Sequence, residues 1–268
     1  MIINGEYFNI DFQKKFGQNF IFDRNLLDAI AADAGVTKED VVVEIGAGAG
    51  TLTAALADRA GEVIAYEIDE ALRSVLDRTL ANKTNVRVIY EDFLKRTDTL
   101  PARFKVVANL PYYVTTPIVM QLLEGDAHPE SVTVMVQKEV AERLTAEPGT
   151  AEYGAITASL DLVADARITR IVGRQCFLPP PNVDSAVVRI DLREKGYSAE
   201  EIATARKIIR AAFNMRRKTL ANGLAGLLGG KDRAGEIIAA AGLPASVRGE
   251  TLSAEQYILL ARAAARLL

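Results

Sequence analysis

Four clusters in this 268-residue chain carry side chains that could act together: Glu44 with the glycines Gly46, Gly48 and Gly50, then Glu67, Asp92, and the run Asn109-Leu110-Pro111-Tyr112. Glycines directly after an apolar run let backbone approach a ligand closely and admit positive φ. Glu67 follows Gly46 by 21 positions. At the end of the next strand a carboxylate there can accept hydrogen bonds from both hydroxyls of a ribose. Asp92 is placed to accept from an adenine amino group at the same sheet edge. The glycine spacing is G-x-G-x-G rather than the G-x-G-x-x-G that suits a dinucleotide pyrophosphate. An adenosine pocket without a pyrophosphate clamp points to S-adenosylmethionine rather than NAD.

The fourth cluster suggests the acceptor. The exocyclic N6 of adenine is a poor nucleophile, because its lone pair is delocalised into the ring. The side-chain oxygen of Asn109 and the carbonyl of Leu110 can accept both N6 hydrogens and favour a tetrahedral nitrogen with its lone pair aimed at a methyl donor. Pro111 holds Leu110 extended and so presets that carbonyl. Tyr112 offers a ring on which an extruded base can stack. No general base is required, since a methylated amine loses its proton readily. The single histidine, His128, reads as a surface residue of an Ala-His-Pro loop.

Positioning these clusters requires a particular frame. From Val41 to Gln137 β-branched apolar runs alternate with amphipathic stretches, which predicts strand–helix repeats and a parallel sheet. Strands are expected at Val41 to Ile45, Val63 to Glu67, Val86 to Tyr90, Phe104 to Asn109, Ser131 to Gln137, Arg167 to Val172 and Val183 to Leu192. Helices fit at Thr51 to Ala60, Glu70 to Asn82, Pro117 to Leu123 with Thr116 as N-cap, and Ala155 to Ala164. From Ser198 the sequence turns Ala-rich and helical, opened by a capping box of Ser198 with Glu201 and repeated by Ser253 with Gln256. Gly229-Gly230 marks a turn between two of its helices. This gives two domains: residues 1–195, with 1–20 as a flexible N-terminal segment, and a helical domain of residues 196–268.

Composition narrows the setting. One cysteine, Cys176, leaves no internal disulfide and no multi-thiolate metal site, so no metal is expected. Neither a signal peptide nor a membrane span is legible, which suits a cytoplasmic protein. A net charge of −3 is unhelpful for nucleic-acid binding. Yet Arg206, Lys207, Arg210, Arg216, Arg217 and Lys218 follow one another with no acid between them, a local basic surface that by itself reads as readily as a solvated helix face.

Taken together, Gln18-Asn19-Phe20-Ile21, the stretch Glu44 to Thr53, Glu67, Glu91-Asp92, Asn109-Leu110-Pro111-Tyr112 and Phe177 to Ala186 (F-L-P-P-P-N-V-D-S-A) resemble the KsgA/Erm family of rRNA adenine N6-methyltransferases. The resemblance runs from about Phe16 to Leu220. The proline-rich loop and Phe213 to Leu220 look like its KsgA rather than its Erm branch. It implies a Rossmann-like class I methyltransferase fold, with a seven-stranded, mostly parallel sheet and a smaller C-terminal helical domain. It also implies N6,N6-dimethylation of two adjacent adenosines in the 3′-terminal hairpin of 16S rRNA, on a small ribosomal subunit precursor, by a monomer serving ribosome biogenesis. Asn19 and Ile21 would then close over S-adenosylmethionine, Gly46 approach its methionine part, Glu67 hold the ribose and Asp92 the adenine. Gln18, Glu44, Gly48, Ile68, Phe93 and Asn109 would complete the cofactor site. Asn109 and the Leu110 carbonyl would orient the amine, and Tyr112 and Phe177 would stack on the base. Lys14, Lys15, Arg216, Arg217 and Lys218 would meet rRNA. Three alternatives stay open: an Erm-type enzyme acting on 23S rRNA, an assembly factor whose catalysis is secondary, and an NAD-dependent oxidoreductase, which the glycine spacing disfavours most.

Overall fold

The computed structural model describes residues 19–125 and 127–267, together with the backbone of two short antiparallel strands, β1 (Ile2–Ile3) and β2 (Glu6–Tyr7). The chain continues through β3 (Phe20–Ile21), α1 (Arg24–Asp33), β4 (Val41–Ile45), α2 (Thr51–Ala57), β5 (Glu62–Glu67), α3 (Arg73–Thr79), β6 (Val86–Tyr90) and β7 (Lys105–Asn109). It goes on through α4 (Thr115–Glu124), β8 (Ser131–Gln137), α5 (Lys138–Leu144), α6 (Ala155–Leu160), β9 (Ala164–Val172), β10 (Phe177–Leu178) and β11 (Ser185–Leu192). Four helices follow: α7 (Ala199–Asn214), α8 (Leu220–Leu228), α9 (Lys231–Ala240) and α10 (Ala254–Leu267).

Seven strands form one sheet in the order β6-β5-β4-β7-β8-β11-β9. The five from β6 to β8 run parallel, and β11 is antiparallel to β8. This is the seven-stranded, mostly parallel α/β sheet that the apolar runs predict. Val42, Val43, Val106, Val107, Val134 and Val136 are all buried. A parallel sheet covered on both faces needs such continuous apolar strands rather than alternating ones. The order reverses between β4 and β7, because the chain moves outward through β5 and β6 and then returns to the other side of β4. Ligands of open α/β sheets sit in the crevice at such a reversal, outside the carboxyl ends of the strands. Those ends carry Glu44, Glu67, Asp92 and Asn109, so strand order alone brings the four clusters to one edge.

Several local expectations shift. Helix α4 begins at Thr115 with Val114, not Thr116, at the N-cap. Pro117 then occupies the third helical position, where its missing N–H has no intrahelical acceptor to lose. The stretch expected as one helix from Glu70 divides into a 3-10 turn, Glu70–Leu72, and α3. Helix α1, opened by the Asp23 carboxylate accepting the Asn25 N–H at 2.9 Å, was not expected from the sequence.

The chain divides into two compact units, residues 1–141 with 167–192, and residues 142–166 with 193–268. The expected boundary at 195/196 is therefore corrected: residues 142–166 go with the helices. Tyr153, Ala158 and Leu162 belong to the same apolar core as Ile208, Ile209, Leu224, Ile237 and Tyr257. The Tyr153 hydroxyl donates to the Leu252 carbonyl at 2.9 Å. Both capping boxes form, with Glu201 N–H on Ser198 Oγ at 3.1 Å and Ser253 N–H on Gln256 Oε1 at 3.0 Å. Gly229, left-handed at φ 78°, closes α8. No helix among the described residues is long and apolar enough to cross a membrane.

Candidate functional site

At the carboxyl edge of β4 and β5 one buried carboxylate joins two loops. Glu67, 5% exposed, accepts the Gly48 N–H at 2.7 Å through Oε2 and the Asp69 N–H at 2.8 Å through Oε1. The Tyr66 carbonyl accepts the N–H groups of Gly46 and Ala47 at 2.8 and 3.0 Å. The glycine loop is thus stitched to β5 at three consecutive turns of backbone. Gly48 is required twice over. Its φ is +57°, and a Cβ there would stand 2.7 Å from Cε1 of the Phe20 ring.

The next strand adds the far wall. Asp92 caps a short 3-10 turn, Phe93–Lys95, by accepting the Leu94 N–H at 3.1 Å through Oδ1. Its Oδ2 lies 3.7 Å from the Nζ of the exposed Lys95. Phe93 is buried edge-on against Tyr66, with ring centroids 5.1 Å apart. Ile68 stays exposed on the wall of the pocket.

Beyond the reversal, the Asn109 amide nitrogen donates to the Asn19 carbonyl at 2.9 Å. With the nitrogen so occupied, the side-chain oxygen is the atom left to accept from a ligand. Leu110 is buried, and the Pro111 carbonyl is taken by the Val114 N–H at 3.1 Å. The Tyr112 hydroxyl pairs with Ser185 Oγ at 2.9 Å, and burial pushes it above the usual phenol range despite that bond.

One pocket collects Asn19, Ile21, Glu44, Gly46, Gly48, Glu67, Ile68, Asp92, Phe93, Asn109, Leu110, Pro111 and Tyr112. Gln18, Lys14 and Lys15 lie outside the described residues. Phe177 departs from its expected place. It is 5% exposed, packed with Ile21, Leu27 and Val172, and is not among the residues that line the pocket. Its strand β10 pairs antiparallel with β3, Phe177 opposite Ile21, so its ring supports the wall rather than facing the cavity. Arg216 is also otherwise engaged: its guanidinium bonds Glu250 at 2.6 Å and the Ala151 carbonyl at 2.9 Å. Arg217 and Lys218 are exposed. Among the described residues no group of three or more His, Cys, Asp or Glu side chains could hold a metal ion. Residues that lie within the sequence motifs but are given no role there include Thr51, whose hydroxyl bonds the Ile21 carbonyl at 2.7 Å, and Ser185.

A family model described as ribosomal RNA adenine dimethylase matches residues 9–265. The chain is 45% identical over 262 residues to the ribosomal RNA small subunit methyltransferase A of Lachnoclostridium phytofermentans, covering 93% of this chain and 90% of that one. To the protein of the same name from Listeria innocua it is 43% identical, with 93% and 89% covered. Among solved structures, a dimethyladenosine transferase from Plasmodium falciparum aligns with a TM-score of 0.80 at 25% identity, covering 90% of this chain and 95% of its own. The 23S rRNA methyltransferase ErmE aligns at 0.73 and 28% identity, with 91% and 99% covered.

The electrostatics of the pocket are set by its acids. Burial pushes the Glu44 carboxyl up to about 8; the Thr53 hydroxyl opposes this and the charge of Glu67 adds to it. Burial also raises Glu67, against the pull of the Asp69 and Gly48 N–H groups. A carboxyl that holds its proton more tightly when folded stabilises the fold at low pH, and that stability is lost as pH rises from its unfolded value through its folded one. Glu44 therefore makes the folded state progressively less stable between about pH 4.5 and about 8. Urea unfolding at pH 6 and pH 8.5 should show a smaller loss of stability for Glu44→Gln than for the parent; parallel losses would contradict the buried, protonated acid.

Proposed function

Because the chain belongs to the ribosomal RNA adenine dimethylase family, we propose that it dimethylates N6 of two adjacent adenosines in the 3′-terminal hairpin of 16S rRNA. S-adenosylmethionine is the methyl donor, and the substrate is a small ribosomal subunit precursor in the cytoplasm, met by a monomer. The observation that carries the donor assignment is the charge of the pocket lining. Glu67, Glu91 and Asp92 line it beside the protonated Glu44, and among the described residues no Lys, Arg or His does. Such a wall attracts a cationic adenosyl compound and opposes phosphates. The cradle also fits: Gly46 leaves room for close backbone approach, and the buried Oε2 of Glu44 has no hydrogen-bond partner among the described residues.

The donor supplies an electrophilic methyl on a sulfonium. The chain's own residues do the rest. Glu67, fixed by two backbone N–H groups, keeps lone pairs for ribose hydroxyls, and Asp92 Oδ2 accepts from the adenine amine of the donor. Asn109 Oδ1 and the Leu110 carbonyl accept the two hydrogens of the target N6, which draws its lone pair out of conjugation and aims it across the pocket. Tyr112 stacks on the extruded base, a contact worth about 1 to 3 kcal/mol. After transfer the nitrogen carries a positive charge and releases a proton to solvent, Asn109 Oδ1 serving only as a hydrogen-bond acceptor. The second methylation repeats the geometry with one hydrogen fewer.

Labelled methyl groups should pass from S-adenosylmethionine to unmethylated small subunits and be recovered as dimethyladenine. Label in large subunits, or none, would overturn the reading. Asn109→Ala should lower single-turnover transfer at saturating donor by about a hundredfold, and a parent-like rate would remove its orienting role.

For the rRNA contact, the exposed pair Arg217 and Lys218 replaces the expected triplet, since Arg216 is held by Glu250. Replacing both by Ala should flatten the dependence of log affinity on log salt by up to about 2. Arg216→Ala should instead weaken the helical unit, by leaving the partly buried Glu250 with only the more distant Arg248 at 3.7 Å. An unchanged salt slope in the double variant would return the pair to a solvated face.

A further inference from the structure

We propose that Ser185 is a positioning residue for the reaction: its hydroxyl anchors the far end of the Tyr112 ring and so the seat of the target base. This rests on the reading of Tyr112 given above. Stacking alone needs only an aromatic face, which phenylalanine would supply equally well. Here the ring carries a hydroxyl, and that hydroxyl meets Ser185 Oγ at 2.9 Å. A bond at the far end of the ring restrains the swing about χ1 that a half-buried aromatic otherwise keeps.

Ser185 is suited to the task because it cannot move. It is fully buried at the first position of β11, opposite Gln137 of β8. The residue before it is tied on two sides: the Asp184 carbonyl accepts the Lys138 N–H at 3.0 Å, and its carboxylate accepts the Arg174 N–H at 3.0 Å. Tyr113, next along the chain, is by contrast 60% exposed. Asn109 and Tyr112 are thus each held by a partner outside the segment that carries them, Asn109 by the Asn19 carbonyl and Tyr112 by Ser185.

The test is a double-mutant cycle of Ser185→Ala and Tyr112→Phe on the full chain, read by single-turnover methyl transfer to unmethylated small subunits, with Tyr112→Ala alongside. Either single change removes the same bond, so each should slow transfer by roughly three- to tenfold, and the double variant should be no slower than either. Donor affinity and melting temperature should match the parent, which separates positioning from a damaged core. Additive slowing, or parent-like turnover in Ser185→Ala when Tyr112→Ala is inactive, would overturn the role of Ser185 alone. Parent-like turnover in Tyr112→Ala would remove both this proposal and the stacking role on which it rests.

Discussion

The loop that follows β4 and the chain that leaves β5 are joined through the Glu67 carboxylate, which accepts one backbone N–H from each at 2.7 and 2.8 Å. Much of the site depends on that junction. It sets the path of Gly46 to Gly50, and Gly50 in turn is the left-handed N-cap of α2. It brings Gly48 against the Phe20 ring, so the segment before α1 lies over the glycine loop. That segment delivers the Asn19 carbonyl that holds Asn109. Because both of its oxygens are already oriented, Glu67 meets a ligand with little reorganisation.

Burial of acid follows from the same arrangement. Two carboxyl groups at the ends of adjacent parallel strands, Glu44 1% and Glu67 5% exposed, hold their protons more tightly because they are buried, and the charge of Glu67 adds to the effect at Glu44. Left without a cationic partner they favour neutrality. A positively charged ligand relieves that penalty, whereas a phosphate would add to it. The pocket therefore selects by charge as well as by shape.

The sheet and four of its site clusters were legible because their signals are local. Apolar runs such as Val41-Val42-Val43 mark buried parallel strands, and strand-end acids follow at regular intervals. The two capping boxes were legible for the same reason. What escaped has long-range causes. The two-residue strand Phe20–Ile21 has no periodicity of its own and exists because Phe177–Leu178 pairs with it. That pairing buries Phe177, which an aromatic in a proline-rich loop does not announce. Residues 142–166 read as ordinary α/β sequence, and only the packing of Tyr153, Ala158 and Leu162 places them with the helices. The engagement of Arg216 by Glu250 and the bond from Ser185 to Tyr112 likewise join residues far apart in the chain.

Selection by charge is tested most directly by equilibrium dialysis of the purified chain against labelled S-adenosylmethionine and labelled NAD under the same conditions. The account predicts saturable binding of S-adenosylmethionine and no measurable binding of NAD. Comparable binding of the two would contradict it, since a pocket lined by four carboxyl side chains and, among the described residues, no cation should not tolerate a pyrophosphate.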